Sequence, residues 1–185
     1  MSRRNARLAY IAYFFFDFRD ESRQSCNSLL CSLLFQLSTQ ADHFSDKLSH
    51  LHSLYEDGKQ RPSDHKLTKC LKDMLSHSAH CVYLIIDGVD ECPDTLAREQ
   101  VLNLIEELVG YRLSNLHICV ASRPEVGALK DLTTLSVSLH KQRGHKQEII
   151  NYIYSAVYSD PKMGIRSEKD KRLVVETLSK KADGV

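Results

Sequence analysis

Residues Leu8 to Phe18 (LAYIAYFFFDF) are aliphatic or aromatic at nearly every position, without the polar alternation of a half-exposed strand. That pattern suits a strand covered on both faces. From Ser25 to Gln40 the period changes, with Leu29, Leu30, Leu33, Leu34 and Leu37 recurring at helical spacing among Ser and Gln. This predicts an amphipathic helix with a wide apolar stripe. Phe44, Leu48, Leu51 and Tyr55 repeat the pattern more weakly, and Asp57-Gly58 closes it as a turn signal. A third helix, capped by Ser63 or Asp64, turns Leu67, Leu71, Met74 and Leu75 inward and runs to about Ser78.

Cys81 to Ile86 is a short apolar run that stops abruptly at Asp87-Gly88, the pattern of a second buried, parallel strand. Thr95 to Val109 predicts a helix with Val101, Leu102, Ile105, Leu108 and Val109 on one face and Gly110 as its stop. Leu116 to Ala121 predicts a third buried strand, followed at once by Ser122-Arg123-Pro124. Leu132 to Leu139 alternates enough for one more strand. His145 to Tyr158 carries Ile149, Ile150, Ile153 and Val157 at helical spacing up to the breaker Asp160-Pro161. A last helix runs from about Glu168 to Lys181, with Gly184 as its stop.

Strands alternating with helices indicate an α/β layered fold with a mainly parallel sheet. Ligands in such sheets bind at the carboxyl ends of the strands. The polar strand ends after Phe16, Ile86 and Ala121 are therefore where chemistry is expected.

Composition narrows the picture by exclusion. A chain of 185 residues with 42% hydrophobic and 26% charged residues has the make-up of one globular domain. A formal charge of +1 and a pI near 7.7 supply no electrostatic drive toward nucleic acid or anionic lipid. The apolar stretch from Leu8 to Phe16 is far short of the roughly 20 residues that span a bilayer, and no small-residue cleavage site follows it. No nucleic-acid or membrane partner is expected. The six cysteines form no C-x-x-C pair, and read as buried free thiols in a reducing, cytoplasmic setting. His77-Ser78-Ala79-His80-Cys81 is a lone cluster without a second ligand set, so zinc is not expected.

The chemistry concentrates at Asp87-Gly88-Val89-Asp90-Glu91, which puts three carboxylates within one turn of chain outside a buried strand. Magnesium is normally held through one or two carboxylates, several waters and substrate phosphates, and Asp87 is placed to hold such an ion through water. Asp90 or Glu91 can then orient or deprotonate an attacking water. The plainer reading of the same residues is a turn followed by favourable acids at a helix start. For Arg123 the plainer reading is a strand-end cation paired with a neighbouring acid.

The order of Leu8 to Asp20, Ser28 to Leu37, Leu84 to Cys92, Leu116 to Pro124 and Lys181 to Gly184 resembles the NACHT-type NTPase domain of STAND signalling proteins. It is most similar to versions abundant in fungal proteins with ankyrin, tetratricopeptide or WD repeats, and to the nephrocystin-3-like N-terminal domain. The resemblance implies a three-layer P-loop NTPase-like sandwich, with residues 1–7 a basic tail, 8–142 a partial NTPase core and 143–185 the start of a following helical region. It implies Asp87 as the Walker B aspartate on magnesium, Gly88 as the small residue after it, Asp90 and Glu91 as the additional acidic positions, Asp90 first for the hydrolytic role, and Arg123 as the sensor of the terminal phosphate. ATP or GTP with magnesium would be the ligand, and protein partners or a homo-oligomer formed through the NTPase domain the assembly.

One departure bears on activity. No G-x-x-x-x-G-K-[ST] occurs in the 185 residues, and Gly58-Lys59 has no partner glycine five residues before it and is followed by Gln60. In the family, the phosphate loop and the first strand precede the stretch at Leu8, and the sheet order 5-1-4-3-2 makes that strand central. The expectation is a chain that is marginal or aggregation-prone by itself and does not hydrolyse nucleotide, with a non-catalytic scaffold module as the alternative. A haloacid-dehalogenase-type phosphatase is disfavoured, because it needs Asp-x-Asp directly after the strand.

Overall fold

The computed structural model describes residues 9–55, 58–93, 95–123, 126–127, 129–132, 135–137 and 143–181. Three strands, β1 (Ala9–Phe15), β2 (Cys81–Asp87) and β3 (Leu116–Val120), form one parallel sheet in the order β1-β2-β3. Between β1 and β2 lie helices α1 (Cys26–Ser38), α2 (Asp42–Leu54) and α3 (Asp64–Ser76), and between β2 and β3 lies α4 (Leu96–Gly110). The α/β class and parallel sheet expected from the periodicity are thus present.

Local chemistry sets the helix boundaries. Ser25 caps α1 by accepting from the Ser28 N–H, and Thr95 caps α4 by accepting from the Ala97 N–H. The α1 stripe of Leu29, Leu30, Leu33, Leu34 and Leu37 is buried together with Phe44, Leu71, Met74 and Leu75 from α2 and α3 and Ile105 and Leu108 from α4. From the sheet this core receives Tyr10, Ala12, Phe14, Val82, Leu84 and Ile86. Helix α4 runs through Gly110 rather than stopping before it. The left-handed turn residue is Arg112 at φ 49.

The largest departure from the sequence reading is the other sheet face. The apolar run from Leu8 to Phe18 predicts cover on both sides, yet Ile11, Tyr13 and Phe15 on β1 and Tyr83 and Ile85 on β2 are exposed. Register aligns them in rows: Ile11, Tyr83 and His117 form one, and Tyr13, Ile85 and Cys119 the next. Handedness explains the one-sidedness. Parallel crossovers are right-handed in about 98% of cases, and two successive steps in the same direction, β1 to β2 to β3, put all their helices on one face. Within this unit the described helices build one covering layer, and the bare rows frame a shallow groove of about 300 Å3.

The chain divides into two compact units at 133/134. At the end of the first, α5 (Leu129–Leu132) takes Leu132, the first residue of the segment predicted as a fourth strand; in the second, residues 135–137 carry no strand pairing, and residues 133, 134, 138 and 139 lie outside the described residues. Leu135 and Val137 are exposed. The second unit contains α6 (Arg143–Ser159), α7 (Pro161–Gly164) and α8 (Glu168–Lys181). Among the described residues of this unit, Ile153 and Val157 of α6 are the buried apolar ones. The Tyr158 hydroxyl donates to the Glu168 carboxylate at 3.1 Å, and Lys171 pairs with the same group at 3.2 Å. The basic tail and the Gly184 stop lie outside the described residues. Among the described residues no helix is long and apolar enough to cross a membrane.

The described cysteines are unpaired. Burial pushes the Cys26 thiol up to about 12 and the Cys70 thiol up to about 11, so neither forms thiolate near neutral pH. Iodoacetamide at pH 8 is expected to modify exposed Cys119 and to spare Cys26 and Cys70 until denaturant is added, as read by peptide mass mapping.

Candidate functional site

The three polar strand ends singled out in the sequence meet at one place. The Phe16 N–H donates to the Asp87 carbonyl at 3.0 Å, and the Gly88 and Val89 N–H groups donate to the Ala121 carbonyl at 3.0 and 3.3 Å. Backbone bonds therefore join the segments after β1, β2 and β3 around the acidic turn.

That turn is a short 3-10 segment, Val89–Glu91, entered through Gly88 at φ 71, ψ 35. Only glycine takes this left-handed geometry without steric cost. A Cβ at Gly88 would also sit 3.3 Å from the Phe16 carbonyl oxygen. Substitution Gly88→Val is accordingly expected to destabilise the chain by about 2–3 kcal/mol, measured by urea denaturation. A midpoint equal to wild type would show that the turn relaxes freely.

The carboxylates do different things. Glu91 Oε2 accepts the Phe18 N–H at 3.2 Å, tying the turn to the segment after β1. Asp90 ties it to the segment after β3: Oδ1 accepts the Arg123 N–H at 3.0 Å, and Oδ2 pairs with Arg123 Nε at 3.3 Å. The Arg123 side chain is 72% exposed and that of Asp90 only 16%, so the guanidinium reaches over the carboxylate from solvent. Asp87 shares the strand parity of Tyr83 and Ile85 and pairs in register with Phe15, which places it at the carboxyl end of the bare face. Its carboxylate takes no hydrogen bond or ion pair among the described residues. The structure thus brings Asp90 and Arg123 into contact and leaves Asp87 open. Among the described residues no group of three or more His, Cys, Asp or Glu gathers to hold a metal ion.

Two further features escaped the sequence reading. Arg98 in the first turn of α4 donates from Nε to the Cys92 carbonyl at 3.0 Å, and from Nη2 to the carbonyls of Cys92 at 2.6 Å and Asp90 at 3.0 Å. A cation in the first turn opposes the helix dipole, and that misplaced charge is the signal that could have revealed it. Arg19 binds Asp17 through Nε at 2.9 Å and Nη2 at 3.0 Å. This side-chain pairing, with the Arg19 N–H, holds the Asp17 carboxyl down to about 2.

A family model described as "Nephrocystin 3, N-terminal" matches residues 2–123, about two thirds of the chain, from before β1 to the arginine at the end of β3. The chain belongs to the nephrocystin 3 N-terminal family. The match spans all three strands and the whole acidic turn, so the site just described lies inside the nephrocystin 3 N-terminal region. Helices α6 to α8 lie beyond it. No curated protein and no solved structure matches the chain.

Proposed function

We propose that this chain is the Walker B-bearing part of a NACHT-type nucleotide switch, in which Asp87 holds magnesium through water beside a nucleoside triphosphate. The carrying observation is the position of Asp87: a carboxylate that takes no partner among the described residues, at the carboxyl end of the central strand, on the face that no described helix of its unit covers. Magnesium needs few protein ligands when phosphates and water complete its shell, and one strand-end carboxylate fits that requirement. The ion, when bound, would neutralise the charge of the phosphates. The chain's own residues supply orientation.

Arg123 and Asp90 form the second half of the reading. A solvent-facing guanidinium held by one carboxylate can turn to a terminal phosphate, whose oxygens match its fork of donors bidentately as a carboxylate does. Asp90, released from Arg123, is then free to orient an attacking water, and Glu91 keeps the turn fixed to the β1 segment. The bare rows of the sheet and the outer side of β3, which pairs with no described strand, support the view that a further strand and helix complete the domain with the phosphate loop. ATP and GTP are both compatible with these residues. Signalling through protein partners or a homo-oligomer, in the cytoplasm, follows from the same family likeness.

A specific observation favours a second reading, a non-catalytic scaffold module: Asp90 and Glu91 both already hold loop backbone. Titration of the chain, and of a longer product that includes a phosphate loop, with magnesium and labelled nucleotide separates the two. Binding by the longer product that depends on Asp87 supports the switch.

A further inference from the structure

The sheet has two edges, and they are treated differently. On the outer side of β1, the side-chain amides of Gln36 and Gln40 meet the strand backbone in a repeating pattern. Gln40 Oε1 accepts the Ile11 N–H at 3.1 Å, and its Nε2 donates to the Ile11 carbonyl at 2.7 Å. Gln36 Oε1 accepts the Tyr13 N–H at 3.1 Å, and its Nε2 donates to the Tyr13 carbonyl at 2.7 Å. Each amide thus makes the donor and acceptor pair that a neighbouring strand would make.

The match has a geometric cause. Residues four apart in a helix are separated by about 6.0 Å along its axis, and residues two apart in a strand by about 6.6 Å. Gln36 near the end of α1 and Gln40, in the turn that follows its last residue Ser38, keep close to this spacing and fall in step with Tyr13 and Ile11 of β1. The second N–H of each amide is also engaged, Gln36 Nε2 with Ser32 Oγ at 2.9 Å and Gln40 Nε2 with the Gln36 carbonyl at 2.9 Å. The amides are thereby oriented from the helix side as well.

The guarded segment is the one in this chain with most need of a guard. Ala9 to Phe16 carries no charge and no proline and is rich in aromatic residues, the composition of segments that pair edge to edge between molecules. Edge strands are usually blunted by lysine, proline or a bulge, and β1 has none of these.

We propose that Gln36 and Gln40 act as a surrogate strand that closes the outer edge of β1 against pairing with a second copy of this chain. The proposal stands apart from any nucleotide chemistry, since it concerns the opposite edge from Asp90 and Arg123. Methionine is the informative replacement, because it keeps side-chain length, and at Gln36 helix propensity, while removing the amide donors and the amide acceptor.

Residue-resolved amide exchange of the full chain provides the test. Gln40→Met is expected to speed exchange of the Ile11 amide on the order of tenfold and to leave Tyr13 unchanged. Gln36→Met is expected to do the reverse. The double variant is expected to associate with rising concentration in sedimentation, under conditions where each single variant stays closer to wild type. Unchanged exchange at both amides in the single variants overturns the proposal. So does a uniform rise across β2 amides, which would make the glutamines general packing residues, or a double variant that exposes both amides yet associates no more than wild type. Should the double variant fail to fold, the residue-by-residue correspondence of the single variants decides.

Discussion

Truncating Leu84 to alanine is expected to destabilise the chain by about 3–4 kcal/mol, whereas truncating its neighbour Ile85 is expected to cost well under half as much. Both residues sit in the middle of β2, and both are large aliphatics. Leu84 is 0% exposed among the α1 to α4 side chains, while Ile85 points to the bare face and is 38% exposed. The Leu84 variant loses the transfer energy of its side chain and leaves a cavity that close-packed helices cannot fill. Solvent or loose neighbours already touch Ile85, so its removal opens no sealed void. Against a total domain stability of order 5–15 kcal/mol, the first loss is a large fraction and the second is tolerable. Equilibrium urea denaturation of both variants measures the difference. In a longer product that carries a strand beside β3 and a helix over the bare rows, Ile85→Ala is expected to become as costly as Leu84→Ala. Equal costs already in the present chain would mean that the face is covered.

The same pair of residues shows what the sequence could and could not convey. The leucine spacing of α1, the helices at 64–76 and 96–110 and the three parallel strands were all legible, because burial on one helix face or along an unbroken apolar run leaves a periodic trace. The strand end at Asp87 was legible because four apolar residues stop there without transition. What the run at 82–86 could not reveal was that only one of its two faces is covered by helices of its own unit. An apolar residue records that its position requires cover, without naming the segment that provides it. At the candidate site, residue types were readable, and so was a strand-end pairing of Arg123 with some acid, but not which acid. Asp87, Asp90 and Glu91 stand within five residues of one another, and only the fold gives Glu91 to the Phe18 N–H and Asp90 to Arg123 and leaves Asp87 open among the described residues. Arg98 went unnoticed because its bonds run to backbone carbonyls, which carry no sequence identity. Of the strand predicted at 132–139, Leu132 ends α5 and residues 135–137 pair with no described strand, while residues 133, 134, 138 and 139 lie outside the described residues.

Nucleotide affinity is expected to divide sharply between this chain and a longer product. In the P-loop arrangement that the proposed switch requires, phosphates are held by successive backbone N–H groups and a lysine at a helix start, and no segment of the 185 residues has the G-x-x-x-x-G-K-[ST] pattern. Asp87 repels phosphate unless a cation lies between them, and Arg123 is already paired with Asp90. Titrating the chain with magnesium and fluorescent ATP or GTP is expected to show no binding in the micromolar range. A product extended upstream through such a loop is expected to gain on the order of a hundredfold or more in affinity, since each tenfold step needs about 1.4 kcal/mol and charge-assisted phosphate contacts readily exceed that in sum. Asp87→Asn in the extended product is then expected to abolish the magnesium dependence of binding, while Arg123→Lys weakens recognition of the triphosphate more than of the diphosphate, because only the guanidinium fork can grip two oxygens of the terminal group. Binding by the extended product that is indifferent to Asp87 would remove magnesium from the reading, and tight binding by the present chain would place the phosphates on groups other than those named.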